Sequence, residues 1–486
     1  MTLSLQDPGL LARRAPIDGE WIDARDGATA PVVNPATGAL LASVPRCGAA
    51  ETQRAIDAAQ RALPAWRGRT AAERAELLRR LYQLMMAHQD DLARILTAEQ
   101  GKPLAEARAE IAYSAGFIEW FAEEARRVYG DTIPAPRPDQ RILVIKQAIG
   151  VVACITPWNF PSAMLGRKLG AALAAGCTVV CKPASATPLS AFALAVLAER
   201  AGFPPGTINM VSGDTQAIGE ELTANPLVRK LTFTGSTAVG KTLLARCAGT
   251  VKRTSMELGG NAPFIVFDDA DLDAAVAGAM VSKYRNAGQT CVCANRLLVQ
   301  DAVYDAFAEK FCQASRTLRV GNGVDEGVQV GPLIDAAATQ KVRSLIDDAI
   351  AQGARVLTGG SGTAGLQGNF LAPTVLADAT PRMRVFREEI FGPVAPLYRF
   401  HTEAEALALA NDTPYGLAAY FYSRDIGRVW RVGEALEYGI IGVNEGLVST
   451  PVAPFGGIKE SGHGREGSKY GLDDYLEIKY LCLGGI

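Results

Sequence analysis

From residue 150 onward, short apolar runs alternate with longer amphipathic segments. The runs are rich in β-branched residues, whereas the segments between them have helical spacing. Strands that alternate with helices predict a parallel sheet covered by helices. We predict strands at VVACI (151–155), TVVCK (178–182), TINMV (207–211) and KLTFT (230–234), and helices at 162–175, from Pro188, at 214–224 and at 237–248.

A second alternating series begins near Ala262. It has the same character as the first and predicts a second α/β domain. The two domains would join near residue 260. The predicted strands are FIVF, RLLVQ, RVLTG, AAYFY and GIIGV, and the predicted helices lie near 269–282, 301–317, 334–352 and 425–437.

The first 130 residues are predicted to be mainly helical. Thr70 and Glu73 fit a capping box, in which a hydroxyl and a carboxylate bind the free amides at a helix start. A run with helical spacing follows, and Gly101 suits its end. Residues 131–148 contain three prolines followed by a short apolar stretch, which predicts an extended excursion or a hairpin.

The composition is that of a globular protein with little net charge. Hydrophobic residues make up 48% and charged residues 21% of the 486 residues, and the formal net charge is -2. This balance excludes a global basic field, so neither nucleic acid nor a membrane is expected as a partner. The longest weakly polar run, residues 169–181, is shorter than the roughly 20 residues that a membrane span needs.

The nine cysteines are odd in number and thinly spread, which is typical of a reducing compartment rather than a disulfide framework. Asp7 and Pro8 stand where a signal peptide would need an apolar core. We therefore expect a cytoplasmic protein. The three histidines limit both metal sites and Cys–His dyads, and no metal is expected.

Residues 235–242, GSTAVGKT, satisfy the P-loop pattern, follow a predicted strand and open a predicted helix. The run FIVFDD (264–269) could supply the aspartate that holds magnesium in a nucleoside triphosphatase. The same glycine-rich loop fits a dinucleotide fold, whose pyrophosphate lies at a helix N-terminus. A simple packing turn is the third interpretation, and this motif alone leaves all three open.

Cys291 lies among small residues in the predicted loop NAGQTCVC (286–293). A reactive cysteine needs access and a lowered pKa, because a free thiol with a pKa of about 8.5 is mostly protonated at neutral pH. A buried structural cysteine is the alternative. A zinc site that included Cys293 would lack a second pair of ligands, and a Cys–His hydrolase would lack a nearby histidine.

Two other polar residues stand in segments that suit catalysis. Glu257, in MELGGNAP, has apolar and glycine neighbours, so burial would raise its pKa towards that of a general base. Asn159, in TPWNFP, follows the first predicted strand of the sheet, and its amide could donate to an oxyanion. A solvated glutamate and a plain turn are the alternatives.

Taken together, seven segments resemble the aldehyde dehydrogenase superfamily, and they span nearly the whole chain. The resemblance favours a nicotinamide-dinucleotide loop at GSTAVG over a P-loop. Within the superfamily, NAGQTCVCANR, the last of the seven segments and the tail GSKYGLDDYLEIKYLC are most similar to succinate-semialdehyde dehydrogenases. The seven segments are TPWNFP, KPAS, FTGSTAVGK, MELGGNAP, GQTCVCANR, EEIFGP and NEGLVSTPVAPFGGIKESGHGREG.

The resemblance implies oxidation of an aldehyde to a carboxylate with NAD(P). Cys291 would attack the aldehyde as a thiolate, and Asn159 with the Cys291 amide would stabilise the oxyanion. The thiohemiacetal would become a thioester, and Glu257 would activate the water that hydrolyses it. The implied cofactor-binding residues are Trp158, Lys182, Ser185, Gly235, Ser236, Leu258, Glu389 and Phe391.

The resemblance also implies an anionic substrate. Arg167 and Arg285 would point into the substrate funnel with Ser449, and an arginine can engage both oxygens of a carboxylate. Succinate semialdehyde is the expected substrate. The alternatives are glutarate semialdehyde, another ω-carboxy aldehyde, or acyl transfer to coenzyme A. A non-catalytic relative would be free to lose Cys291 and Glu257, and both are present.

Two finer expectations concern the cofactor and a second thiol. The hydroxyl of Ser185 follows Lys182 closely, and both could hold a 2′-phosphate, so NADP is expected, with NAD possible. Cys293 is either a small loop residue or a redox partner for Cys291. An extended chain would place their Cα atoms about 6.6 Å apart, near the upper edge of the disulfide range of about 4.4–6.8 Å.

The implied architecture is α/β, with a Rossmann-type cofactor domain, an α/β catalytic domain and a small β oligomerisation element. The resemblance also implies a homo-oligomer, either a tetramer or a dimer. The expected boundaries are 1–130 and 149–258 for the cofactor domain, 259–450 for the catalytic domain, 131–148 and 471–486 for the oligomerisation element, and 451–470 for a segment that returns to the cofactor domain.

Overall fold

A computed structural model of the protein describes residues 3–360 and 366–486. Within these residues no helix is both long and apolar enough to cross a membrane. The helices are α1 Ala49–Gly68, α2 Ala71–Ala87, α3 Gln89–Gln100, α4 Leu104–Glu124, α5 Pro161–Ala175, α6 Pro188–Ala201, α7 Thr215–Ala224, α8 Thr237–Cys247, α9 Leu272–Tyr284, α10 Asp301–Arg316, α11 Ala336–Ala351, α12 Arg384–Arg387, α13 Glu403–Asn411 and α14 Ile426–Ala435.

The strands form two large sheets and three small ones. They are β1 Ala15–Ile17, β2 Glu20–Ile22, β3 Thr29–Val33, β4 Leu40–Pro45, β5 Asp131–Ile133, β6 Gln140–Ala148, β7 Val151–Ile155, β8 Thr178–Lys182, β9 Ile208–Met210, β10 Val228–Thr234, β11 Arg253–Glu257, β12 Ala262–Val266, β13 Ala294–Gln300, β14 Arg355–Thr358, β15 Thr374–Ala377, β16 Val394–Phe400, β17 Ala418–Tyr422, β18 Ile440–Val443, β19 Gly462–His463 and β20 Leu476–Gly484.

The first large sheet has the order β19-β11-β10-β7-β8-β9. Strands β7 to β11 are parallel, and β19 pairs with β11 in the antiparallel sense. From β7 the chain adds β8 and β9 on one side of the sheet, and then β10 and β11 on the other side. The strand order therefore reverses between β7 and β10. Ligands of open α/β sheets bind outside the carboxyl ends of the strands at such a point. The four strands predicted here are confirmed, with VVACI and TVVCK matched residue for residue.

The second large sheet has the order β14-β15-β16-β13-β12-β17-β18 and is parallel except for β14. All five predicted strands are present, and AAYFY is matched residue for residue. The prediction omitted β15, β16 and the helices α12 and α13. Strand β16 carries Pro396 in its interior, and a proline ordinarily argues against a strand.

The prediction of a mainly helical start is confirmed from residue 49 onward, but four strands precede the helices. Strands β1 to β4 form two small hairpin sheets of three to six residues per strand, too short for a clear alternating pattern. The capping box is confirmed, because the Glu73 carboxylate accepts from the Thr70 amide at 2.7 Å and the Thr70 hydroxyl accepts from the Glu73 amide. Gly101 ends α3 in the left-handed conformation at φ 98°.

The hairpin predicted at 131–148 is confirmed as β5 and β6, and β20 extends it to a three-stranded antiparallel sheet. Strand β20 pairs with β6 over its whole length, and its residues from 477 onward are exposed. The exposed side chains include large apolar groups, with Ile478 71% and Tyr480 61% exposed.

The two large sheets meet where β11 passes into β12 through Gly259 and Gly260. A side chain at Gly260 could not be accommodated, because its Cβ would lie 2.1 Å from the carbonyl oxygen of Cys291. The pair of glycines therefore lets the end of the first sheet approach the loop that carries Cys291. Asn261, the next residue, donates its side-chain amide to the carbonyl of Phe386 at 2.9 Å.

Candidate active site

A cavity of about 300 Å³ lies at the carboxyl ends of β7, β10 and β11, between the two large sheets. Eight of the residues singled out from the sequence line it, together with seven others. Those singled out are Trp158, Asn159, Gly235, Ser236, Leu258, Cys291, Glu389 and Phe391. The additional lining residues are Pro157, Met164, Thr234, Gly259, Ala338, Lys341 and Ile390.

Cys291 stands on a constrained loop between α9 and β13. Asn286 and Ala287 have φ values of 53° and 54°, a left-handed conformation that non-glycine residues rarely adopt. The loop is held by the Tyr420 hydroxyl, which donates to the carbonyl of Val292 at 2.7 Å. Such strain persists only where surrounding contacts impose it, and it is common at active sites.

The pKa of Cys291 differs from the expectation of a lowered value. Burial raises the pKa of this thiol to about 12, although the charges of Arg167 and Arg285 act to lower it. A raised pKa favours the thiol over the thiolate, so a base that accepts its proton would assist the attack. Among the nearby charges, those of Glu257 and Glu389 act to raise this pKa.

Glu257 is the last residue of β11 and is 3% exposed. Neither of its carboxylate oxygens has a hydrogen-bond partner among the described residues. Burial raises its pKa well above the usual range, and the nearby negative charge of Glu466 raises it further. A carboxylate with a raised pKa and free oxygens suits a general base that works near neutral pH.

A buried ionic cluster lies close to Glu257. The carboxylate of Glu466 accepts from Lys168 at 2.5 Å and from Arg167 at 3.3 Å. Burial alone would raise the pKa of Glu466, but these two cations hold it below its usual value. The cluster thus keeps Glu466 ionised, which is one reason that Glu257 holds its proton more tightly.

Arg167 is 2% exposed and lies within the wall of the site rather than on the cavity lining. Its guanidinium also donates to the hydroxyl of Tyr113 and stacks on the ring of Phe455 at 4.0 Å. Its Nε has no hydrogen-bond partner among the described residues.

Asn159 follows β7 and is 6% exposed. Its side-chain amide donates to the carbonyl of Gln289 at 3.0 Å, which joins the loop after β7 to the Cys291 loop. An amide has two N–H donors, so a second one remains for an oxygen near Cys291. This arrangement fits an oxyanion donor.

The residues expected at the nicotinamide end of the cofactor surround the cavity. The rings of Trp158 and Phe391 meet edge to face with centroids 5.5 Å apart. The carboxylate of Glu389 accepts from the Gly260 amide at 2.9 Å, and burial raises its pKa to about 7. Its second oxygen can accept from a ribose hydroxyl.

The glycine-rich loop presents the start of α8 to the cavity. Ser236 is the N-cap of α8, and its hydroxyl accepts from the Val239 amide at 3.4 Å. A helix N-terminus that faces a cavity is a suitable site for a pyrophosphate. The donor set of this loop thus fits a dinucleotide.

Lys182 and Ser185 lie outside the cavity lining, at and after the carboxyl end of β8. Lys182 is buried, and desolvation lowers its pKa to about 8. Ser185 is exposed, and its hydroxyl lies 3.5 Å from that of Thr215 at the start of α7. Sequence reasoning missed Thr215, which no motif marks. Two neighbouring hydroxyls can both donate to the oxygens of a phosphate group.

The interpretation of FIVFDD as a magnesium-binding strand is wrong. Strand β12, which holds the first half of this run, belongs to the second sheet, whereas the glycine-rich loop follows β10 in the first. The carboxylates of Asp268 and Asp269 pair instead with Arg428, at 3.2 and 2.6 Å. Lys241, the lysine of the apparent P-loop, pairs with Glu460 at 2.9 Å.

The remaining candidates lie around the cavity without lining it. Arg285 stacks on the ring of Phe160 at 5.3 Å and is close enough to lower the pKa of Cys291. Ser449 is half-buried in the segment after β18. Cys293 is buried, and its thiol donates to the carbonyl of Lys283 at 3.5 Å.

The sequence model of the aldehyde dehydrogenase family matches residues 21–481, and the chain belongs to this family. It is therefore an enzyme that acts on an aldehyde, and a nicotinamide dinucleotide, NAD or NADP, is its cofactor.

Two relatives and one solved structure are similar over the whole chain. A glutarate-semialdehyde dehydrogenase of Pseudomonas aeruginosa is 63% identical over 484 residues, 100% of both chains. The succinate-semialdehyde dehydrogenase [NADP(+)] GabD of Escherichia coli is 63% identical over 482 residues, 99% of this chain and 100% of that one. The crystal structure of an E. coli NADP-dependent enzyme has a TM-score of 0.98 at 63% identity, covering 99% and 100% of the two chains.

Proposed function

We propose that this enzyme oxidises succinate semialdehyde to succinate with NADP. The observation that carries the proposal is the pair of arginines, Arg167 and Arg285, whose charges both act on the Cys291 thiol. An aldehyde with a carboxylate at its far end could pair with them while its carbonyl reaches Cys291. The E. coli relative, named for succinate semialdehyde and NADP, supports the same assignment.

The first chemical step is the attack of Cys291 on the aldehyde. Because burial raises the pKa of the thiol, the proton leaves as the C–S bond forms, and Glu257 is the buried carboxylate suited to accept it. The Asn159 amide and the Cys291 backbone N–H stabilise the oxyanion. Glu389, Trp158, Phe391 and the α8 start would hold the cofactor, and the bound nicotinamide supplies the hydride acceptor.

The second step is hydrolysis of the thioester on Cys291. Glu257 first releases to solvent the proton that it accepted from Cys291. It then takes a proton from water, which attacks the thioester carbonyl, and the Asn159 amide stabilises the second oxyanion. Release of the carboxylate returns Cys291 to its thiol. Acyl transfer to coenzyme A would need no such base, so product analysis with and without coenzyme A separates the two outcomes.

Glutarate semialdehyde is the second candidate substrate, because the P. aeruginosa relative carries that name. A panel of succinate semialdehyde, glutarate semialdehyde and an uncharged aldehyde, each with NAD and NADP, tests the proposal directly. The proposal expects the highest kcat/KM with succinate semialdehyde and NADP. A higher kcat/KM with the five-carbon substrate favours the second candidate, and a preference for the uncharged aldehyde contradicts both.

Arg285→Ala is expected to raise KM for succinate semialdehyde by about 10- to 100-fold, since a hydrogen bond to a charged group contributes about 1.5–3 kcal/mol. The effect on an uncharged aldehyde should be small. Steady-state kinetics measure both, and Arg355→Ala, which removes an exposed arginine on β14, is the control. Equal losses with both substrates would argue against a role in binding the carboxylate.

Ser185→Glu is expected to shift the preference from NADP towards NAD, by about 10- to 100-fold in the ratio of the kcat/KM values. The new carboxylate would repel the 2′-phosphate and could bond the ribose hydroxyls of NAD. Ser185→Ala is the matched control, since it removes the hydroxyl without adding charge. A wild-type enzyme that is markedly more efficient with NAD would contradict the assignment of NADP.

Peroxide is expected to inactivate the enzyme by a disulfide between Cys291 and Cys293, and a thiol reductant should restore activity. Peroxide oxidises one thiol to a sulfenic acid with loss of water, and the other thiol then displaces its hydroxyl as water. Cys293→Ala should remain active but lose the recovery. Mass spectrometry of the treated enzyme checks this, and over-oxidised Cys291 without a link to Cys293 would contradict it.

We also propose that the three-stranded sheet of β5, β6 and β20 mediates assembly into a dimer or tetramer in the cytoplasm. Exposed apolar side chains on β20, among them Ile478 and Tyr480, support this role. The domain boundaries expected from the sequence remain part of this proposal. Light scattering of the wild type and of Ile478→Glu would test it.

A further inference from the structure

Lys102 lies in the turn between α3 and α4, directly behind the backbone of Asn159. It is 1% exposed, and its ammonium group donates to the carbonyl oxygen of Asn159 at 2.8 Å and to the Glu110 carboxylate at 2.5 Å. The same ammonium lies 3.8 Å from the ring centre of Phe160. A buried ammonium is costly unless it is paired and hydrogen-bonded, so these contacts fix its position.

The Asn159 carbonyl has a second donor on the Cys291 loop. The side-chain amide of Asn286 donates to this carbonyl at 2.9 Å and to the carbonyl of Gln289 at 3.1 Å. Asn286 is itself held in its left-handed conformation by the Glu106 carboxylate, which accepts from its backbone amide at 2.8 Å. One side chain thus connects the oxyanion loop to the loop of the nucleophile.

The Lys102–Glu110 pair also fixes the residues that follow Asn159. The second oxygen of Glu110 accepts from the amides of Ser162 and Ala163, at 3.0 and 3.2 Å, in the first turn of α5. The backbone of Asn159 is therefore anchored at its own carbonyl and again three residues later. The Asn159 side chain is held as well, because its amide donates to the carbonyl of Gln289. The direction of the amide therefore depends on the position of the Asn159 backbone.

We propose that Lys102 is a positioning residue for the oxyanion site: together with Asn286 it clamps the carbonyl of Asn159 and so fixes where the Asn159 amide points. The inference rests on the proposed role of Asn159 as an oxyanion donor. A misplacement of about 1 Å at a reacting centre can cost about 10²-fold in rate. Loss of the clamp should therefore affect kcat rather than substrate binding.

A double-mutant cycle between Lys102→Met and Asn159→Ala tests the inference. Lys102→Met alone is expected to lower kcat for succinate semialdehyde by about 10- to 100-fold, with KM and the Kd for NADP changed less than about threefold. In the Asn159→Ala background, the same substitution should lower kcat by less than about threefold, because the group that it positions is gone. An equal loss in both backgrounds, or no loss in the first, would overturn the inference.

Two further variants guard against an effect on folding. Lys102→Met alone leaves the Glu110 carboxylate buried without its cation, which can destabilise the fold. The double variant Lys102→Met with Glu110→Gln removes both charges. The same cycle with Asn159→Ala can be measured in that double variant. Glu99→Gln is the matched control. Glu99 lies near the same turn but accepts from the amides of Leu189 and Ser190 at the start of α6, so it should lower Tm without changing kcat.

The cycle also separates this inference from the proposed function. A wild-type kcat in Asn159→Ala would contradict the role of Asn159 itself. A large loss in Asn159→Ala together with an additive loss from Lys102→Met would leave that role intact and contradict the positioning role of Lys102.

Discussion

Replacing Cys291 with alanine is expected to lower aldehyde oxidation by at least about 10⁴-fold, since removal of a catalytic nucleophile typically costs that much or more. Neither the thiohemiacetal nor the thioester can form without the sulfur. Binding of NADP should be unchanged, because the cofactor contacts proposed above do not include the thiol. Steady-state rates and a fluorescence titration with NADP measure the two effects.

Cys312→Ala is the matched control for this variant. Cys312 is a buried cysteine on α10, and no catalytic role is proposed for it. It should therefore retain wild-type kcat, with at most a modest loss of stability from the smaller side chain. Near-normal turnover of Cys291→Ala would exclude the covalent mechanism.

Glu257→Gln is expected to lower the steady-state rate by about 10²- to 10⁴-fold, the usual contribution of a general base. Glutamine has nearly the same shape but cannot accept a proton from water, so the thioester should accumulate. One equivalent of reduced cofactor per site should therefore appear before slow turnover. Because Glu257 is also the proposed acceptor for the Cys291 proton, the rate of this burst should fall while its amplitude remains. Stopped-flow absorbance measures both.

The raised pKa of Glu257 also predicts the pH dependence. In the wild type, turnover should fall as the pH drops through this pKa, because the protonated carboxyl cannot act as a base. The folded state holds this proton more tightly than the unfolded state, so the group's contribution to stability decreases as pH rises above the unfolded pKa. In Glu257→Gln the remaining turnover should therefore no longer fall at low pH. The Tm of this variant at pH 8 should be no lower than that of the wild type.

The sequence pattern predicted nine strands of the two large sheets but, in the second sheet, missed β15, a buried strand of four residues, and β16. VVACI, TVVCK and AAYFY were matched residue for residue because apolar β-branched and aromatic residues fill central parallel strands. Strand β16 was missed because Pro396 interrupts its pattern, although it pairs with strands on both sides.

The residues of the candidate site that belong to short sequence motifs could be singled out from the sequence. Cys291, Asn159, Glu389 and Phe391, which stand in three different motifs, line one cavity. The charged groups around these residues could not be predicted from the motifs. The Lys168–Glu466 pair joins residues 298 positions apart, and the tertiary fold brings α5 and Glu466 together. Likewise, the pKa of Cys291 is raised by burial, and the burial of a residue cannot be predicted from a short motif.

The most direct test of the account is mass spectrometry of Glu257→Gln quenched during the burst with succinate semialdehyde and NADP. An acyl group with the mass of a succinyl thioester is expected on the peptide that contains Cys291, and no such adduct is expected in Cys291→Ala. Reduced cofactor that appears without any adduct on Cys291 would contradict the covalent mechanism.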